Sequence, residues 1–194
     1  MYARALKWWI ENSSFDLLVL DSSGRGVPRV AELQVPRLAQ FNVPRLHVFS
    51  FDQRCCKPPP GPKPTNWELL ALSTLCRERA SLLLRYDLVV KVTGKYRVPG
   101  LPAALEAAGR SRARYVIQAS PRTIRSNHCE LFGARGKLFG PLIAEFLEHT
   151  GSLEKRLYVV VNGQPETAVH RLPLLPIPKE FRVVRNNGSV MRDF

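Results

Sequence analysis

Long apolar runs are missing from this chain. No stretch of about 18 uncharged apolar residues occurs, so the sequence predicts no membrane-spanning helix. Met1 to Ile10 lacks the apolar centre of a signal peptide. Metal and nucleotide signatures are missing too. There is no Asp-x-Asp, Cys-x-x-Cys, Gly-x-Gly-x-x-Gly or Walker motif, and no defensible Ser-His-Asp order. With no Asp-x-Asp, no cofactor is expected, though a divalent metal stays open. His47, His149 and His170 are scattered without ligand spacing, and His128, close to Glu130, reads as a surface histidine with general base as the alternative. Four cysteines do not make a secreted disulfide framework in 194 residues. Cys55 and Cys56 are adjacent, while Cys76 and Cys129 read as packed thiols, so a reducing, cytoplasmic setting is preferred. Carboxylates are also scarce, with 16 Asp and Glu against 29 Lys and Arg.

The resulting net charge of +13 fits an anionic partner: a nucleotide, nucleic acid, an acidic glycan or anionic lipid heads. Arg110, Arg112, Arg114, Arg122, Arg125, Arg135 and Lys137 face only Glu130 in their region, which makes nucleic acid a candidate partner. Arginine-rich coding bias produces the same excess without function, and no RRM, KH, zinc-finger or helix-turn-helix signature accompanies it.

What the chain does contain is an alternation of helical and apolar runs, the pattern of one α/β domain. Its length and 45% hydrophobic content suit a single core. Ala5, Leu6, Trp9 and Ile10 predict a helix over Tyr2 to Asn12. Phe15 to Leu20 and Leu46 to Phe51 predict strands, each ending at an acid, Asp21 and Asp52. Residues 57–64 are proline-rich and predict an exposed loop. Thr65 and Glu68 have capping-box spacing and open a helix running toward Arg85. Leu88 to Val92 reads as a buried strand, Leu101 to Ala108 as a helix ended by Gly109, and Tyr115 to Gln118 and Cys129 to Phe132 as further strands. Leu138 to Leu147 has the cleanest helical stripe, closed by Gly151. The valines of Leu157 to Val161 argue for a strand, and the tail from about Asn162 is expected to wrap the sheet.

The strand Leu88 to Val92 stops abruptly in Thr93, Gly94, Lys95 and Tyr96. A strand end carrying a hydroxyl, a glycine and cations suits a phosphorylated ligand. Alternation along the strand puts Lys91 and Thr93 on one face. An ordinary turn glycine and an edge-protecting lysine explain the same residues.

This stretch resembles the Lys-(Ile/Val)-Thr-Gly-(Arg/Lys)-Tyr signature of a group of glycosyltransferase-like proteins with a GT-A-type nucleotide-sugar fold. The resemblance extends in order through Leu18 to Gly24, Leu46 to Gln53, Asn127 to Gly133, Leu172 to Pro176 and Val184 to Ser189. It implies a single Rossmann-like mixed sheet flanked by helices. It also implies a strand ahead of the first helix, which this chain does not show, and a helix continuing from Ser152. The resemblance further implies a nucleotide-sugar donor and an acceptor hydroxyl. Asp21, Ser22 and Asp52 would then contact the nucleotide, with Lys91, Thr93, Gly94, Lys95, Tyr96 and Arg185 around its phosphates. Lys91 or Lys95, with Arg185, would replace the metal that an Asp-x-Asp normally holds. Glu130, the lone carboxylate of the basic region, is the candidate general base. A salt bridge to a nearby arginine is its structural alternative. A catalytically inactive relative acting as a binding module fits the same residues.

Overall fold

The computed structural model describes residues 2–24, 46–56, 63–94, 96–118, 129–173 and 175–177. The architecture is mixed α/β, with two separate sheets where one was expected. The chain forms two compact units, interleaved in sequence. One takes residues 1–55, 93–102 and 175–194, the other residues 56–92 and 103–174. Among the described residues, no helix is long and apolar enough to cross a membrane.

The first unit holds α1 (Tyr2–Asn12) and a parallel pair, β1 (Leu17–Asp21) and β2 (Leu46–Ser50). The strand register runs from Leu17 opposite Leu46 to Asp21 opposite Ser50. Helical spacing turns Ala5, Trp9 and Ile10 into the core, as the sequence predicts. Trp9 donates its indole Nε1–H to the carbonyl of Tyr96 at 3.1 Å, which satisfies a donor that would be costly to bury alone. Tyr96 itself is a core residue, not a residue of an open cleft.

The second unit is larger. It holds α2 (Lys63–Glu78), α3 (Ala80–Leu83), β3 (Leu88–Val92), β4 (Tyr115–Gln118), β5 (Leu131–Arg135), α5 (Gly136–Glu148), α6 (Leu153–Asn162) and β6 (Val169–Leu172). Most of α4 (Leu101–Arg110) belongs to it as well. The sheet order is β3-β5-β4-β6, in which β5 runs opposite to the other three strands. Phe132 of β5 meets Phe139 and Phe146 of α5 at ring separations of 6.4 and 5.6 Å. These rings, with Leu131, Leu142 and Ile143, form the centre of this core.

Several local expectations change. The helix after the proline-rich loop begins at Lys63, which moves Glu68 beyond its first turn and out of a capping box. That helix stops at Glu78 and a short α3 follows. Gly109 lies inside α4, which ends at Arg110. The strand expected from Cys129 is β5, which starts at Leu131. Helix α5 ends at Glu148 with His149 extended, and Gly151, at φ +98°, turns the chain into α6.

Residues 157–161 are helical, not extended. Ser152 caps α6 by accepting the Lys155 N–H, and Leu153, Arg156, Leu157, Val160 and Val161 make one buried stripe. The tail does more than wrap: Val169–Leu172 joins the sheet as an edge strand parallel to β4. The proline-rich loop between 57 and 62, Arg122, Arg125 and His128 lie outside the described residues, as does the chain beyond 177.

Candidate functional site

Asp21 ends β1 opposite Ser50, and Asp52 follows β2 opposite Ser23, at one edge of the first unit. Both strands run in the same direction, so their carboxyl ends meet, and Ser23 and Asp52 form a bridge just beyond them. This is where open parallel sheets leave room for a ligand. Asp21 accepts from Ser50 Oγ at 2.8 Å and from the Ser23 backbone N–H at 3.1 Å. The second bond is an Asx-turn, so part of the work of Asp21 is to shape its own loop. Ser22 is half-buried between them, and its carbonyl accepts the Gln53 N–H.

Gly24 completes the turn at φ +70°. A β-carbon there would lie 2.7 Å from Asp52 Cβ, so both backbone shape and close approach require glycine. Asp52 faces Arg54. The Arg54 Nε donates to both of its carboxylate oxygens, at 2.9 and 3.1 Å, and NH2 donates at 2.6 Å. The Arg54 backbone N–H adds a bond at 2.9 Å. The guanidinium bonds, then the backbone bond, lower the Asp52 carboxyl to about 2. Arg54 was not singled out from sequence, although its place two residues after an acidic strand end is the available signal.

The sign of this linkage follows directly. A carboxyl held below its unfolded value favours the folded state above the unfolded pKa, and that contribution disappears as the pH falls through about 2. Arg54→Gln should therefore move the Asp52 titration upward toward an ordinary aspartate, with little change in stability because the pair is exposed. Carboxyl-carbon NMR against pH measures it; an unmoved titration would assign the low value to something other than Arg54.

The signature Lys-Val-Thr-Gly-Lys-Tyr is divided by the fold. In the first unit Thr93 is half-buried and Gly94 exposed. The Thr93 carbonyl accepts the Tyr96 N–H at 3.3 Å, closing a turn. Lys95 and Arg185 lie outside the described residues. Lys91 belongs to the second unit, on the edge strand β3. Its side chain is only 11% exposed and turns inward instead of guarding the edge. The ammonium pairs with Glu68 of α2, donates to the Cys129 carbonyl at 2.6 Å, and sits 5.6 Å from the centre of the Phe132 ring. A phosphate can use this cation only by taking the place of Glu68.

Cys129 and Glu130 precede β5 at the same end of that sheet, and both are half-buried. The Cys129 thiol lies 3.1 Å from Glu154 Oε1 of α6. Burial pushes the thiol far above its usual range. Lys91 opposes this shift, and the charge and hydrogen bond of Glu154 add to it. Such a thiol is not a nucleophile at neutral pH. Glu130 has a polar or electrostatic partner of its own. The sequence did not predict the contribution of Glu68 and Glu154 here, because each comes from a helix distant in the chain. Among the described residues, no group of three or more His, Cys, Asp and Glu could hold a metal ion.

The basic region is only partly free for a ligand. Arg135 donates through Nε to the Ala113 carbonyl at 2.9 Å and through its two terminal nitrogens to the carbonyls of Gly109 and Ser111. It thus binds the carboxyl end of α4, where positive charge is favoured. Comparison of the chain with protein-family models, curated proteins and solved structures gives no significant match.

Proposed function

We propose that this chain is a glycosyltransferase-like domain of the GT-A type that binds a nucleotide sugar. The observation that carries the reading is the acidic edge of β1 and β2. There Asp21, opposite Ser50, and Asp52, opposite Ser23, lie at the carboxyl ends of parallel strands, with Ser50 and Ser23 holding Asp21 in place. A carboxylate so placed can accept the hydroxyls of a ribose or the N–H groups of a base. The ordered signature motifs and the mixed α/β architecture support the same reading.

Transfer further requires that the diphosphate charge be neutralised and an acceptor hydroxyl deprotonated. Lys95 and Arg185 supply the cations in this reading. Glu130 is the base. The Lys91–Glu68 pair also favours a second reading, a relative that holds a nucleotide without turning it over, because its cation is already neutralised.

A thermal-shift series with UDP, GDP and their sugar conjugates, with manganese and after chelation, tests both. Saturation at about 100 times Kd stabilises the protein by about 2.7 kcal/mol. The expected result is a shift that survives chelation. Asp21→Asn keeps the acceptor for Ser23 but removes the charge, so its affinity should fall about 10- to 100-fold, the worth of a charged hydrogen bond. Glu130→Gln should retain the nucleotide shift and lose sugar transfer. No shift with any nucleotide, or equal binding by the Asp21 variant, overturns the assignment. A shift without turnover in the parent chain selects the binding module.

A further inference from the structure

We propose that one end of the second unit's sheet is a docking surface for an anionic membrane face. Three segments that are distant in sequence are tied together there. Arg135 of β5 bonds the carbonyls of Gly109, Ser111 and Ala113, and its own N–H donates to the Arg114 carbonyl at 2.9 Å. The Gly136 N–H donates to the Asp87 carbonyl at 3.1 Å, which brings in the turn between α3 and β3. From these joined segments Arg85, Arg110, Arg112, Arg114 and Lys137 are all exposed. The acids within these segments are Asp87 and Glu106, and Glu166, two residues before the Ala168 carbonyl that accepts the Arg114 N–H, is already paired with Arg171, so basic residues outnumber acidic ones. Arg110 also complements the end of α4, and Arg114 stacks by Tyr115 at 5.6 Å, yet both keep their charge at the surface.

The second observation is apolar. Leu84, directly before Arg85, is 62% exposed, the most exposed of the large hydrophobic residues described. An exposed leucine next to Arg85, on a segment joined to others that carry exposed basic residues, matches a lipid interface, where the charges meet the headgroups and the leucine enters the acyl boundary. A single-stranded nucleic acid would instead want aromatic platforms. Among the described residues of these segments, Tyr115 is buried and Tyr86 half-buried, so neither ring is an open platform. The surface belongs to the second unit, and its argument does not depend on what binds at the acidic edge of β1 and β2.

Flotation of the full chain with phosphatidylcholine vesicles, alone and with about one-third phosphatidylserine, tests the proposal. Binding is expected only with the anionic lipid and should weaken steeply with added salt. Each basic side chain near such a surface is worth roughly fivefold in partition, so Arg112→Gln with Arg114→Gln should weaken binding roughly 25-fold. Leu84→Ser should weaken it several-fold by a route that salt does not mimic. Both variants alter exposed side chains, and unchanged circular-dichroism melts verify that they fold. Equal binding to neutral and anionic vesicles, or undiminished binding by the double variant, overturns the proposal. So does the absence of vesicle binding with tight binding of an RNA oligonucleotide that the same two arginines control.

Discussion

Among the described glycines, Gly136 should be the one where an added methyl group, as in Gly136→Ala, does most damage. Gly136 opens α5, and its N–H reaches the Asp87 carbonyl at 3.1 Å. A β-carbon there would stand 2.0 Å from the Tyr86 carbonyl oxygen and 2.6 Å from that of Leu83. Both obstacles are backbone, and neither can swing aside as a flexible side chain would. Relief must come from displacing α5 against the turn before β3, which disturbs the Phe132–Phe139 packing behind it. Overpacking of a core typically costs 1–3 kcal/mol, and backbone obstruction places this site at about 3 kcal/mol or more. A domain has only about 5–15 kcal/mol of stability in total. Urea denaturation of the parent and variant measures the loss. A midpoint that does not fall would mean that α5 is not seated this closely on the turn. The same substitution at Gly140, where a β-carbon meets nothing within 4 Å, is the matched control.

Arg156→Leu should give the second large loss. Arg156 is 2% exposed, although arginine is rarely buried so fully. Its Nε donates to the Gly151 carbonyl at 3.0 Å and NH1 to the Phe146 carbonyl at 2.6 Å. The guanidinium therefore reaches from α6 to the last turn of α5 and the loop between the helices. Burial lowers its pKa from the usual value, yet an arginine begins so high that it remains charged. Replacing a buried ion pair with apolar residues can be harmless when both partners are removed. Here the partners are backbone carbonyls and remain. Each unsatisfied group costs about 1–3 kcal/mol, so a net loss of about 2–4 kcal/mol is expected, with the denaturant slope unchanged. Arg156→Lys should recover only part of it, because one ammonium cannot reproduce the planar fork. A leucine variant as stable as the parent would show that burying the charge costs as much as its bonds return.

These two residues also mark what could be read in advance. The stripe of α5 was legible because Leu138, Phe139, Leu142, Ile143, Phe146 and Leu147 repeat at helical spacing without interruption. The stripe of α6 has the same period, but one of its buried positions is Arg156, and its valines favour a strand on propensity. Tertiary burial decided in favour of the helix, assisted by the Ser152 cap. Gly136 could be seen in the sequence, but not the carbonyls that press upon it.

The candidate site divides in the same way. Asp21 and Asp52 could be picked out because each ends an apolar run, and the parallel register then sets Asp21 opposite Ser50 and Asp52 opposite Ser23 at one strand end. Lys91 could be assigned to a strand, and its face followed from alternation. Its use could not: Glu68 reaches it from a helix whose start had been placed two residues late. Tyr96 looked like part of a ligand turn because aromatic and cationic residues cluster there, yet Trp9 claims its carbonyl and the ring fills the core.

Hydrophobic period and turn chemistry act over a few residues, so most elements, α6 and β6 excepted, and the excess of positive charge were legible in the sequence. Only the tertiary structure decided how that charge is used. Pairing and desolvation depend on atoms brought together from distant segments. Arg135 and Arg156 are spent on backbone carbonyls and Lys91 on Glu68, while Arg112, Arg114 and Lys137 remain at the surface.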